Sequence, residues 1–201
     1  MDKDTYYTIK KSSEGIQFKD RHSKFFGFAY PIISEKEIKP LLESLKKRHY
    51  SARHWCYAYQ IGTENLRYRA NDDGEPNNSA GMPIYGQIQS YELTNVLIVV
   101  VRYYGGVKLG VGGLINAYKT AAKNAINASE IISKTIDQNF RLKFDYKDMS
   151  KVMRILKEKD AEIINQKLEE NCLLEISVRK GIALNVFEHF TQFFGVQITE
   201  L

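Results

Sequence analysis

Residues 95 to 113, NVLIVVVRYYGGVKLGVGG, constrain the fold more than any other part of the chain. Residues 95–103 form an almost continuous apolar run, the pattern of a strand buried on both faces. Glycine follows at five of the nine positions from Gly105 to Gly113. Average usage of ~7% would put fewer than one there. Each glycine costs roughly 0.5–1 kcal/mol of extra chain entropy on folding. Next comes LINAYKTAAKNAINAS (114–129), a helix with Leu114, Tyr118, Ala121, Ala122 and Ala125 on one face. That face of small residues lets the helix lie close to a sheet.

Upstream, strands are expected at Tyr6 to Lys10, Gly15 to Phe18 and Phe25 to Ile33. Ser34, with Glu37 three residues on, is a capping box opening a helix with a stripe of Leu41, Leu42 and Leu45. Pro40 either kinks that helix or marks its start. HWCYAYQI (54–61) alternates as a strand. His54, Cys56 and Ala58 share one face of it, and Trp55, Tyr57 and Tyr59 the other, which is expected to be core. A short partner strand at Arg67 to Arg69, a turn-rich loop (71–83) and a helix from Met82 to about Tyr91 lead into the apolar strand.

After Ile131 the order is a long strand (Ser133 to Phe144), a helix (Lys147 to Lys159), strands at Ala161 to Leu168 and Cys172 to Arg179, a helix (Ile182 to Phe194) and a last strand (Val196 to Leu201). That is the β-α-β-β-α-β pattern of ferredoxin-like domains. The expected class is therefore α+β in two domains, residues 1–130 and residues 131–201.

Composition narrows the function. No stretch approaches 18 consecutive apolar residues, and MDKDTYYTIKK has no apolar signal region, so a cytoplasmic protein is expected. The two cysteines, Cys56 and Cys172, belong to no CxxC pair, so neither a disulfide framework nor a structural zinc is expected. Cys172 reads as a small apolar residue on a strand. Residues 1–130 hold 18 basic and 13 acidic residues, whereas residues 131–201 hold 11 of each. The whole excess of +5 sits in the first domain, where it favours an anionic partner or simply aids solubility.

Arg102, Gly105, Gly106, Lys108, Gly110, Gly112 and Gly113 are candidate ligand-binding residues for an anion. Glycines before a helix expose free N–H groups at the positive end of its dipole, and the two cations lie nearby. The alternative is a tight connection with no room for side chains. The loop is neither a Walker A motif nor a dinucleotide GxGxxG. In DDGEP (72–76), Asp72, Asp73 and Glu75 around Gly74 are a candidate set for a hard divalent cation, or an ordinary surface turn. His54 and Cys56, at i and i+2, are candidates for ligation or nucleophile activation, or a structural pair. No catalytic set can be assembled from spacing, no resident cofactor is implied, and whether any reaction is catalysed stays open.

ARHWCYAY (52–59), NDDGEP…SAGMP (71–83) and VVVRYYGGVKLGVGGLINAY (99–118) resemble, in order and spacing, the signature of the YigZ/IMPACT family, carriers of the Impact N-terminal domain. The resemblance covers most of residues 15–130. It implies a first domain similar to domain two of ribosomal small-subunit protein five and a second similar to the last domain of elongation factor G. Eukaryotic members act in translation control, and nucleic-acid or ribosome binding is the expectation for bacterial ones. The pattern departs at Asn77, Asn78 and Ser79, at Val101 and at Asn116, where the family usually has arginine. The last change removes one cation near the glycine loop.

Two functions follow as expectations. The first is a translation-associated regulator or binding protein that contacts RNA or the ribosome, with phosphates at Arg102 or Lys108 and tyrosines stacking on unpaired bases. No membrane contact and no DNA specificity are implied. The second is an enzyme on a phosphorylated small molecule or nucleotide, using a divalent cation, which requires the DDGEP and glycine loops to converge. A protein-binding module using an aromatic surface is a third reading.

Overall fold

The computed structural model describes residues 4–201. The chain divides into two compact units, Tyr6–Lys134 and Thr135–Leu201, the latter including Asp4 and Thr5. The division falls past the expected 130/131 boundary because β7 (Ile131–Thr135) pairs with β1 (Thr5–Ile9) in a two-stranded sheet.

The first unit is built on a five-stranded antiparallel sheet ordered β2-β3-β6-β4-β5. Its strands are β2 (Ile16–Asp20), β3 (Ser23–Pro31), β4 (His54–Ile61), β5 (Arg67–Asn71) and β6 (Val96–Tyr103). The apolar run is the central strand, β6. Val96, Ile98 and Val100 enter a cluster with residues of α2 (Gly81–Ser90) and α3 (Gly110–Asn127). Leu97, Val99 and Val101 enter a second cluster with Ile38 and Leu45 of α1 (Ile38–Arg48). Helices on both faces of an antiparallel sheet explain a run with no polar alternation. For the same reason β4 is core on both faces. Cys56 and Ala58 join the α2/α3 cluster, and Tyr59, Trp55 and Tyr57 the α1 cluster. The aromatic face is core as expected, and the opposite face, with Cys56 and Ala58, is core as well.

Local signals set the helix starts unevenly. Ser34 and Glu37 form the expected capping box, Glu37 accepting from the Ser34 amide at 2.8 Å. It opens a 3-10 turn that runs into α1, with Pro40 in the first turn, where its missing N–H costs nothing. α3 presents Ala117, Ala121, Ala122 and Ala125, all fully buried, to the sheet. The approach is so close that a Cβ on Gly27 of β3 would lie 2.4 Å from the Ala121 carbonyl oxygen.

The second unit is a four-stranded antiparallel sheet ordered β11-β8-β10-β9. Its elements are β8 (Asp137–Asp145), α4 (Met149–Glu158), β9 (Glu162–Lys167), β10 (Asn171–Arg179), α5 (Lys180–Thr191) and β11 (Val196–Glu200). This is the ferredoxin-like order. The strand expected over Ser133 to Phe144 is two strands, β7 and β8, interrupted at Ile136. Phe140, Leu142 and Phe144 point to a core shared with α4 and α5, while Arg141 and Lys143 are exposed. Cys172 is buried in that core. Among the described residues no helix is long and apolar enough to cross a membrane.

Gly27→Ala is expected to lower stability by about 1–3 kcal/mol, because the new methyl meets rigid helix backbone. Urea unfolding measures it; an unchanged midpoint would show that α3 can retreat from the sheet at no cost.

Candidate functional site

The loop between β5 and α2 is organised by its own carboxylates. Asp72 Oδ1 accepts from the amides of Ala80 and Gly81 at 2.9 and 2.8 Å, and Oδ2 from Asn78 at 2.9 Å. It thereby satisfies orphan donors at the start of α2. Asp73 Oδ2 accepts from the Trp55 amide at 2.7 Å. Asp73 and Gly74 both take left-handed backbone angles, φ of 42° and 85°. That paired turn sends Glu75 inward.

Glu75 is the centre of a buried network. Its Oε1 receives Arg102 Nη1 at 2.6 Å and the Tyr118 hydroxyl at 2.7 Å. Arg102 Nη2 reaches Ser23 Oγ at 3.4 Å, and its guanidinium lies over the rings of Phe25 and Tyr104 at 5.4 and 5.5 Å. The Cys56 sulfur lies 2.9 Å from the Asp72 carbonyl oxygen and 3.3 Å from the Tyr118 hydroxyl. His54 Nδ1 is 2.8 Å from the Asp73 carbonyl oxygen, which only accepts, so this nitrogen bears a proton and donates. Its Nε2 lies 3.9 Å from Glu75 Oε1.

The glycine loop is explained residue by residue. A Cβ on Gly105 would lie 2.1 Å from the His22 carbonyl carbon, so only glycine passes the β2–β3 turn. Gly106 and Gly110 have φ of 86° and 73°, where side chains are strained. The helix expected from Leu114 begins four residues earlier, at Gly110, so Gly112 and Gly113 lie inside its first turn and do not precede it. Poor helix propensity is outweighed there by burial of Leu109 and Leu114 on either side. A Cβ on Gly113 would lie 3.1 Å from that of Leu109. Gly112 differs: its backbone is helical and nothing lies within 4 Å of where its Cβ would be. No packing contact requires it.

The two loops converge. Glu75, Pro76, Arg102, Tyr104, Lys108 and the first turn of α3 line a cavity of ≈ 340 Å³. At its rim α3 starts on Leu109 with no side-chain cap and no acid in the first turn. Lys108 is exposed and has no ion-pair partner among the described residues. Of the residues singled out in the sequence, Glu75, Arg102, Lys108 and Gly110 therefore meet at one place. Asp73, Gly74, Gly105 and Gly106 shape the loops around it. His54 stands beside Glu75, and Cys56 lies within the core. Arg102, expected as a free cation, is buried against Glu75 and lends the cavity a nearly neutral floor. Asp72, Asp73 and Glu75 are each engaged in separate contacts. Among the described residues no group of three or more His, Cys, Asp or Glu is arranged to hold a metal ion. Sequence reasoning missed three members. Tyr118 showed as an inward helix position and as the last residue of the family motif, with no role assigned, Tyr104 only as the second tyrosine after Arg102, and Ser23 left no signal.

The network restrains its own reactive groups. Burial pushes the Cys56 thiol well above the usual thiol range, and the neighbouring Glu75, Asp73 and Asp72 charges push the same way. Burial likewise raises the Tyr118 hydroxyl. A thiol held protonated at neutral pH is a poor nucleophile.

Two tests follow. Gly112→Ala is expected to stabilise the protein by about 0.5–1 kcal/mol, because alanine is the better helix former and its methyl meets nothing. Gly105→Ala is expected to destabilise it strongly; equal effects in thermal unfolding would refute this account of the loop. Titration of the native protein with a thiol reagent at pH 8 is expected to find Cys56 unreactive, with both thiols appearing on denaturation. A fast native thiol would restore Cys56 as a nucleophile.

Comparison with known proteins places the chain in a family. A family model described as the Impact N-terminal domain matches residues 21–126, which include both loops and the whole network. The IMPACT family member YvyE of Bacillus subtilis (strain 168) is 30% identical over 197 residues, 98% of this chain and 87% of that protein. The IMPACT family member YigZ of Escherichia coli (strain K12) is 32% identical over 160 residues, 79% of this chain and 78% of that one. A crystal structure described as that of a hypothetical protein matches with a TM-score of 0.72 and 25% identity, covering 98% of both chains. With the family model spanning more than half of the sequence and relatives similar over nearly all of it, this chain belongs to the IMPACT family and carries an Impact N-terminal domain.

Proposed function

We propose that this protein is a cytoplasmic, translation-associated regulator that contacts RNA, free or in the ribosome, through the cavity where the DGEP and glycine loops meet. The observation that carries the reading is the rim of that cavity. Unpaired Lys108 stands beside the uncapped, acid-free start of α3, whose first N–H groups lack intrahelical partners. A phosphate fits both features. The basic excess of the first domain supports the reading, since it draws polyanions towards this unit.

The enzyme reading shares the convergence of the two loops but is less well supported. Cys56 is sealed and held as a thiol, and the three loop carboxylates are committed to hydrogen bonds and an ion pair. The groups at hand suit holding an anion better than transforming one.

Fluorescence anisotropy of labelled single-stranded RNA, titrated with the full chain at several salt concentrations, tests the proposal. Affinity is expected to fall steeply with salt. Lys108→Glu is expected to weaken binding at least tenfold and to lower the salt slope by about one or more phosphate contacts. Affinity unchanged by that substitution would remove the cavity rim as the RNA contact.

A further inference from the structure

The cavity offers more than a phosphate needs. Its volume, ≈ 340 Å³, falls at the lower end of the range for small-ligand sites. Pro76, Tyr104, Leu109 and Leu114 supply carbon surface to its walls. Its floor carries two polar side chains, Glu75 and Arg102, only 4% and 5% exposed. Both have unmet hydrogen-bonding capacity. Glu75 Oε1 takes the bonds from Arg102 and Tyr118, while Oε2 accepts none from any described residue. Arg102 Nε is buried with no partner. An acceptor with no protein donor, on a side chain otherwise buried in the wall of a cavity, is a place for a donor from a ligand. Above them Tyr104 is 46% exposed, with the Arg102 guanidinium over its ring.

Read together, these features place an acceptor at the floor, an aromatic wall, and a cation with free N–H groups at the rim. We infer that the cavity takes a single unpaired nucleotide, with its phosphate at Lys108 and the start of α3, its base against Tyr104, and the base's N–H donors on Glu75 Oε2. Guanine is the preferred base. Its N1–H and N2–H₂ are adjacent donors that can converge on the one open oxygen, which has two lone pairs to accept them. Uracil presents a single N–H between two carbonyl oxygens, which the carboxylate repels. Stacking on Tyr104 supplies affinity without choosing the base. The inference rests on the proposed phosphate contact and deepens it by naming the unit that is recognised.

Calorimetric titration of the full chain with GMP, UMP, guanosine and inorganic phosphate tests it. GMP is expected to bind at least tenfold more tightly than any of the other three. Tyr104→Ala is expected to cost tenfold or more in GMP affinity, and Tyr104→Phe less than twofold; circular dichroism confirms that both variants fold. GMP binding no tighter than inorganic phosphate, or no saturable binding by any mononucleotide, would overturn the inference. Labelled RNA run in parallel separates the two readings. Salt-dependent RNA binding without GMP binding would leave the RNA contact standing and remove the nucleotide cavity. GMP binding without RNA binding would remove the RNA contact and assign the cavity to a free mononucleotide. RNA displaced by GMP would identify the nucleotide as part of a strand.

Discussion

The buried ion pair between Glu75 and Arg102 is the interaction on which the first domain depends. Two charges taken out of water repay their desolvation only when the geometry is good and further hydrogen bonds support the pair. Here the pair sits at 2.6 Å, with Tyr118 adding a second donor to the same oxygen. Removing one partner of such a pair typically costs about 3–5 kcal/mol, since it strands the other. Three separate pieces of chain meet in it: the end of the central strand β6, the loop before α2, and the middle of α3. The left-handed turn at Asp73 and Gly74 exists to deliver Glu75 to that point.

The rest of the site follows from having Arg102 at the end of β6. Immediately after it the chain must clear the β2–β3 turn, which only Gly105 allows, and then enter α3 over the cavity. The same network decides what chemistry is on offer. Cys56 is tied to the Asp72 carbonyl and Tyr118, and its thiol is held neutral. His54 is fixed by the Asp73 carbonyl. Around the cavity, among the described residues, one oxygen of Glu75, one nitrogen of Arg102 and Lys108 are left without a partner, beside the N–H groups of a helix start. It is on these groups that the proposed recognition of an anion rests.

The second domain was legible almost entirely, because each of its signals is local. Phe140, Leu142 and Phe144 alternate with charged residues, and that period has one solution in a sheet covered on one face. The capping box at Ser34 and Glu37 was legible for the same reason. The start of α3 was not. Glycine's low helix propensity argued for a loop as far as Gly113, yet the turn is helical, held by Leu109 and Leu114, which flank it and are both buried in the α2/α3 cluster. The covering of both faces of β4 was also hidden, since alternation reveals that two faces differ and not that both are covered.

By itself the sequence determined the elements, their order, the two-domain division and the family, all carried by residue types at short spacings. It also marked the DGEP and glycine loops as the places where chemistry concentrates. Only the tertiary structure decided that these loops meet, that Arg102 is a buried partner of Glu75, and that Cys56 lies inside the core. It alone decided that of the five clustered glycines Gly112 is the one with neither a packing contact nor a positive φ to require it. The physical reason is that charge state and reactivity depend on burial and on partners far along the chain: Glu75 lies 27 residues from Arg102 and 43 from Tyr118. No pattern within a short window encodes that neighbourhood.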